Sequence, residues 1–101
     1  MPKIIKTGWG IKLGSRVKNW KRRWFVLLSD GSLRYFEDKT TFTEKGHYQI
    51  DKATTFQIAC ASSEGIPIHL TNKKRIMQIN FQTSTEAEEW ISGFSSVQST
   101  M

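Results

Sequence analysis

The hydrophobic period of this chain changes once, and the change limits the folds open to it. Up to Phe81 the apolar residues come in short runs divided by turn residues. Beyond Thr85 they recur at three- and four-residue steps, as Ala87, Trp90, Ile91, Phe94 and Val97. The second spacing places those side chains on one face of a helix. Glu86, Glu88 and Glu89 near its start suit the helix macrodipole, and Thr85 with Glu88 has capping-box spacing. The polar face is acidic and serine-rich rather than basic, so the helix is expected to plug a β-structure, with Trp90 as its anchor, rather than to lie on a membrane.

Ahead of the helix, turn residues and β-branched or aromatic runs predict seven short strands at 8–13, 20–28, 33–36, 46–50, 55–59, 66–71 and 76–81. Ser29-Asp30-Gly31-Ser32 is a strong hairpin signal between the second and third. The fold class expected is mainly β: a seven-stranded antiparallel sandwich or partly open barrel, which limits exposed edges, capped by one C-terminal α-helix. A chain of 101 residues accommodates one domain, expected at 4–98.

Several function classes drop out. No apolar run approaches the roughly 18 residues of a spanning helix, and the first residues lack the apolar stretch of a signal peptide, so a cytoplasmic setting is expected. Cys60 is the single cysteine and His47 and His69 are the two histidines, so neither a disulfide nor a metal cluster is expected. Cys60 is expected to be a buried small apolar residue. There is no Ser/His/Asp or Cys/His constellation, no glycine-rich phosphate loop of the Walker type and no paired carboxylates in a plausible cleft. Neither catalysis nor a cofactor is expected.

What remains is charge, and its position matters more than its total of +6. Lys3, Lys6, Lys12, Arg16, Lys18, Lys21, Arg22 and Arg23 all precede the first carboxylate, Asp30, while the rest of the chain holds seven basic and all nine acidic residues. In the second strand, alternation puts Lys21, Arg23, Phe25 and Leu27 on one face. Phe25 and Leu27 suit a core, so that face must leave the core at its charged end, because unpaired buried charges are too costly. Antiparallel pairing with the first strand brings Lys12 to the same end, with Arg16 and Lys18 in the connecting loop. Five converging cations suit a multiply phosphorylated ligand: arginine offers a planar fork to phosphate oxygens and lysine a mobile point charge.

These residues resemble the opening of a pleckstrin-homology domain: Lys6-x-Gly8-x-x-x-Lys12-x-Gly14, then Trp20-Lys21-x-Arg23-Trp24-Phe25-Val26-Leu27. The resemblance implies two nearly orthogonal sheets capped at one corner by a helix bearing a tryptophan, which Trp90 matches. It also implies a phosphoinositide signature, Lys12 with Lys21-x-Arg23. Arg16, Lys18, Tyr35 and Lys45 occupy the further places used by members that recognise 3-phosphorylated headgroups such as phosphatidylinositol 3,4,5-trisphosphate. By that resemblance Lys12 and Arg23 hold the deepest phosphates, Arg16 and Lys18 line the rim and Tyr35 offers its hydroxyl. The partners implied are phosphoinositide lipids or inositol phosphates, with peripheral recruitment to the plasma membrane.

The chain departs from the family at Gly10, where a large apolar residue is usual. Family parity turns position 10 inward, whereas simple alternation buries Trp9, Ile11 and Leu13. Only a short connection, 71–75, joins the sixth and seventh strands, where some tight binders carry a long insertion; its Lys73, Lys74 and Arg75 are expected to form a solvated turn. Two other functions compete. One is nucleic-acid binding through the basic hairpin, disfavoured because the aromatics sit at core spacing. The other is a protein-interaction module of the same fold, whose partner the sequence does not name.

Overall fold

The computed structural model describes residues 2–13, 19–40, 43–61, 63 and 65–101. Its elements are β1 (Ile4–Leu13), β2 (Trp20–Leu28), β3 (Ser32–Phe36), β4 (Glu44–Gln49), β5 (Thr55–Ile58), β6 (Ile66–Thr71), β7 (Ile76–Phe81) and α1 (Ser84–Ser99). Every strand pair is antiparallel, and the spatial order is β4-β3-β2-β1-β7-β6-β5. The expected seven strands and C-terminal helix are therefore present, as an open sheet folded around one core.

β1 joins the two halves of the sheet. It starts four residues before its predicted position, pairs with β2 along its length, and meets β7 through Ile11↔Asn80 and Lys12↔Ile79. Gly10 is its buried residue: a Cβ there would lie 2.8 Å from Ile79 Cγ2, 3.0 Å from Phe81 Cε1 and 3.1 Å from Phe25 Cε2. Gly8 faces the indole of Trp90 in the same way, at 3.4 Å. Family parity thus holds and simple alternation does not: Trp9, Ile11 and Leu13 are half-buried on the outer face. There Trp9 meets Trp24 edge-on, with centroids 5.3 Å apart, and the Arg22 guanidinium lies 4.0 Å over Trp9.

The β2–β3 turn forms where its residues predict. Gly31 takes φ +87°, which L side chains rarely adopt, and its N–H donates to the Leu28 carbonyl at 3.0 Å. The Asp30 carboxylate accepts from the Ser32 N–H at 2.9 Å and from the Ser32 hydroxyl at 2.7 Å. Those two bonds, with Arg34 nearby, hold the Asp30 carboxyl below the ordinary carboxylate range.

The helix buries Ala87, Trp90, Phe94 and Val97 as expected, with Ile91 packed at the margin. Trp90 is 2% exposed, stacks on Phe81 at 5.4 Å, and meets Phe94 at 5.8 Å and Phe25 at 6.5 Å. The cap differs from the expected Thr85–Glu88 pair. Thr83 is the N-cap, in extended conformation, and its side chain accepts from the Glu86 N–H at 3.1 Å. Cys60 also differs: it is exposed, because it lies in the connection after β5 rather than on a core-facing strand position. In the β6–β7 connection Lys73 and Lys74 are exposed, whereas the Arg75 guanidinium donates to the His47 carbonyl at 3.0 Å and lies 5.5 Å over the Tyr48 ring.

Candidate functional site

β2 changes character along one face, as its sequence requires. Phe25 and Leu27 are fully buried, Arg23 is half-buried and Lys21 is exposed. The β1–β2 register sets Lys12 opposite Lys21 and Gly10 opposite Arg23, so the core-facing side of both strands emerges at one end. β3 pairs Tyr35 with Phe25 on one side and with Gly46 of β4 on the other, which carries Lys45 to the same place.

Lys12, Lys21, Arg23, Tyr35 and Lys45 consequently line one pocket of about 210 Å³. Five of the seven residues nominated from sequence meet there, while Arg16 and Lys18 lie outside the described residues. Among the described residues the lining holds four cations, one phenol and no carboxylate. None of these four cations forms an ion pair with a described carboxylate; the ion pairs among the described residues are Lys6–Glu89, Arg34–Glu44 and His47–Glu44. The Lys12 ammonium lies 5.1 Å over the Tyr35 ring and donates to the Leu13 carbonyl at 3.4 Å. The Arg23 guanidinium donates to the Arg22 carbonyl at 3.3 Å, leaving most of its fork open. Uncompensated like charges held this close are unfavourable until an anion joins them.

A larger groove of about 710 Å³ lies elsewhere, along Lys6–Ile11 of β1, Asn80–Gln82 and the start of α1. Its charges are of mixed sign, Lys6 and Arg22 with Glu86, and it contains none of the five pocket residues. The size of a cavity does not decide its chemistry. The smaller pocket is the one whose lining converges on a single charge sign. Among the described residues, no His, Cys, Asp and Glu side chains cluster as metal ligands. No described helix is long and apolar enough to cross a membrane.

Residues 4–99 match the model of the PH domain family. Among curated proteins, cytohesin-4 of Mus musculus and of Homo sapiens is 54% identical over 41 residues, 41% of this chain. Pleckstrin homology domain-containing family B member 2 of Mus musculus is 39% identical over 50 residues, 48% of this chain. These matched segments span 10% and 23% of those relatives' lengths. Among solved structures, the C-terminal PH domain of pleckstrin in complex with D-myo-Ins(1,2,3,4,5)P5 superposes with TM-score 0.79 at 26% identity, covering 95% of this chain and 99% of that one. A second complex of that domain, with D-myo-Ins(1,2,3,5,6)P5, gives TM-score 0.80 at 26% identity, covering 96% and 97%.

Proposed function

The chain belongs to the PH domain family, a fold that is generally a non-catalytic binding module, and on that premise we propose that it binds the phosphorylated headgroups of phosphoinositide lipids. The observation that carries this is the pocket where Lys12, Lys21, Arg23 and Lys45 converge with Tyr35 and no carboxylate. Lys12 and Arg23 grip the innermost phosphates, since they emerge next to the core. Lys21 and Lys45 neutralise phosphates at the mouth, Tyr35 donates from its hydroxyl, and Arg16 and Lys18 complete the rim. The favoured headgroups are 3-phosphorylated, the 3,4,5-trisphosphate or the 3,4-bisphosphate. Binding recruits the domain, residues 4–98, from the cytoplasm to the plasma membrane as a peripheral protein. The inositol pentakisphosphate complexes of the similar pleckstrin domain support the ligand class.

Nucleic acid is not the expected partner. A strand-tracking surface needs a run of aromatic faces free for bases, whereas Phe25 is fully buried, Trp9 is covered by Arg22, and Trp20 is the one exposed tryptophan of β1 and β2. The proposal is tested with vesicles carrying single phosphoinositides, run at low and high salt. Stereospecific recognition keeps its headgroup preference as salt rises, while plain charge attraction fades for all headgroups alike. Equal binding to all anionic vesicles, lost together at high salt, overturns it.

A further inference from the structure

Gly46 occupies a place in β4 that its backbone does not explain. Among the described glycines only Gly31 and Gly65 have positive φ, so the conformation at 46 is open to any L residue. Alanine would ordinarily be preferred in such a strand. The reason for glycine is space. A Cβ at position 46 would lie 2.6 Å from Tyr35 Cζ, 3.0 Å from Tyr35 Cε2 and closer still to the Tyr35 hydroxyl oxygen. The phenol therefore lies against the bare backbone of its register partner, next to the irregularity in the β3–β4 ladder between Tyr35 and Phe36.

The ring has little freedom to go elsewhere. Phe25 stands against it at 5.7 Å on the core side, Lys12 lies over its face, and Tyr35 is only 8% exposed. Buried tyrosines usually satisfy their hydroxyl within the protein. Here the hydroxyl has no hydrogen-bond partner among the described residues, and it is not a sealed-off atom. Its outlet is the pocket that Tyr35 lines with the four cations.

We propose that Gly46 is a positioning residue of the phosphate pocket: the absence of its side chain lets the Tyr35 phenol lie across β4 and present its hydroxyl as a donor to a phosphate oxygen between Lys12 and Lys45. This rests on the phosphate reading of the pocket and adds to it the residue that sets the height of one wall. A methyl group at 46 displaces the ring away from β4. With Phe25 behind it, the ring moves into the volume the phosphate needs.

Four proteins test this by calorimetric titration with inositol 1,3,4,5-tetrakisphosphate, with thermal melts alongside: wild type, Gly46→Ala, Tyr35→Leu and the double variant. Loss of a hydrogen bond to a charged group corresponds to about tenfold or more in affinity, and Gly46→Ala is expected to lose at least that. In the Tyr35→Leu background the same substitution changes affinity by less than about twofold, because the ring it displaces is gone. Gly46→Ala binding like wild type overturns the proposal, as does an equal loss in both backgrounds, which marks a purely structural role. If Gly46→Ala alone fails to fold, recovery of folding in the double variant supports the steric pairing, and failure of both overturns it. A wild type that does not bind the headgroup removes the phosphate reading itself, an outcome distinct from binding that is indifferent to Gly46.

Discussion

Lys12 of β1 and Lys21 of β2 stand directly opposite one another in the antiparallel ladder and line the same pocket. Like charges at opposed positions destabilise a sheet, so this pair is a local cost that the fold carries. It is intelligible if both ammonium groups await one anion. Replacing Lys21 by Gln is expected to stabilise the free domain by about a few tenths of a kcal/mol, small because Lys21 is exposed. The same change is expected to weaken the proposed inositol phosphate binding. Melting curves with and without ligand check both signs, and a variant that is less stable and binds equally well contradicts the account.

Gly10 makes a second test, because the family's usual large residue does not fit here. Ile79, Phe81 and Phe25 already occupy the space into which its side chain would grow. Gly10→Leu is expected to cost about 1–3 kcal/mol through overpacking, measured as a lower urea midpoint at unchanged slope. Pairing it with Ile79→Ala, which vacates the nearest methyl, should recover part of the loss. Full tolerance of the single substitution would show that the core is looser at this point than its packing implies.

Asp30 fixes the sign of one pH dependence. Its carboxyl is held below its usual value by the Ser32 backbone and side-chain hydrogen bonds and by Arg34. A depressed folded-state pKa contributes stability above the unfolded value of 3.8 and loses it as pH falls through the folded value. Asp30→Asn should therefore melt below wild type at neutral pH, with the gap closing as the pH falls below 3.8 and through the folded-state value. The group is largely exposed, so the gap is small. A gap that widens on acidification would contradict the assignment.

How much of this the sequence shows depends on whether side chains carry the signal. The charged end of β2 is legible because Phe25 and Leu27 fix which face is inward, and Lys21 and Arg23 share it. Tyr35 and Lys45 are legible only through the family resemblance, since nothing local says that β3 and β4 fold back against that end. The inward face of β1 is illegible to alternation because Gly8 and Gly10 have no side chains to announce it. Apart from Phe25, the groups that fill their places, Trp90, Ile79 and Phe81, lie about 70 to 80 residues further along the chain. The helix start is ambiguous for a different reason. Thr83 and Glu86 repeat the spacing of Thr85 and Glu88, and the helix starts from the earlier pair.

Trp90 separates the fold from the site. Its indole joins the helix to both halves of the sheet: it stacks on Phe81, meets Phe25, and lies beneath Gly8 with the Lys6 ammonium 5.4 Å from its ring. It does not line the cationic pocket. Trp90→Ala is expected to cost about 3–5 kcal/mol, a large share of a small domain's stability, whereas Trp90→Phe keeps the stacking on Phe81 and should cost less. At a temperature where both variants remain folded, each should bind inositol phosphate with wild-type affinity, because stability and site are held by different residues. Denaturant midpoints and calorimetry on the same samples decide. A Trp90→Ala midpoint close to wild type would show that the helix does not plug the sheet. Lost affinity in a fully folded variant would show that the helix helps to shape the pocket.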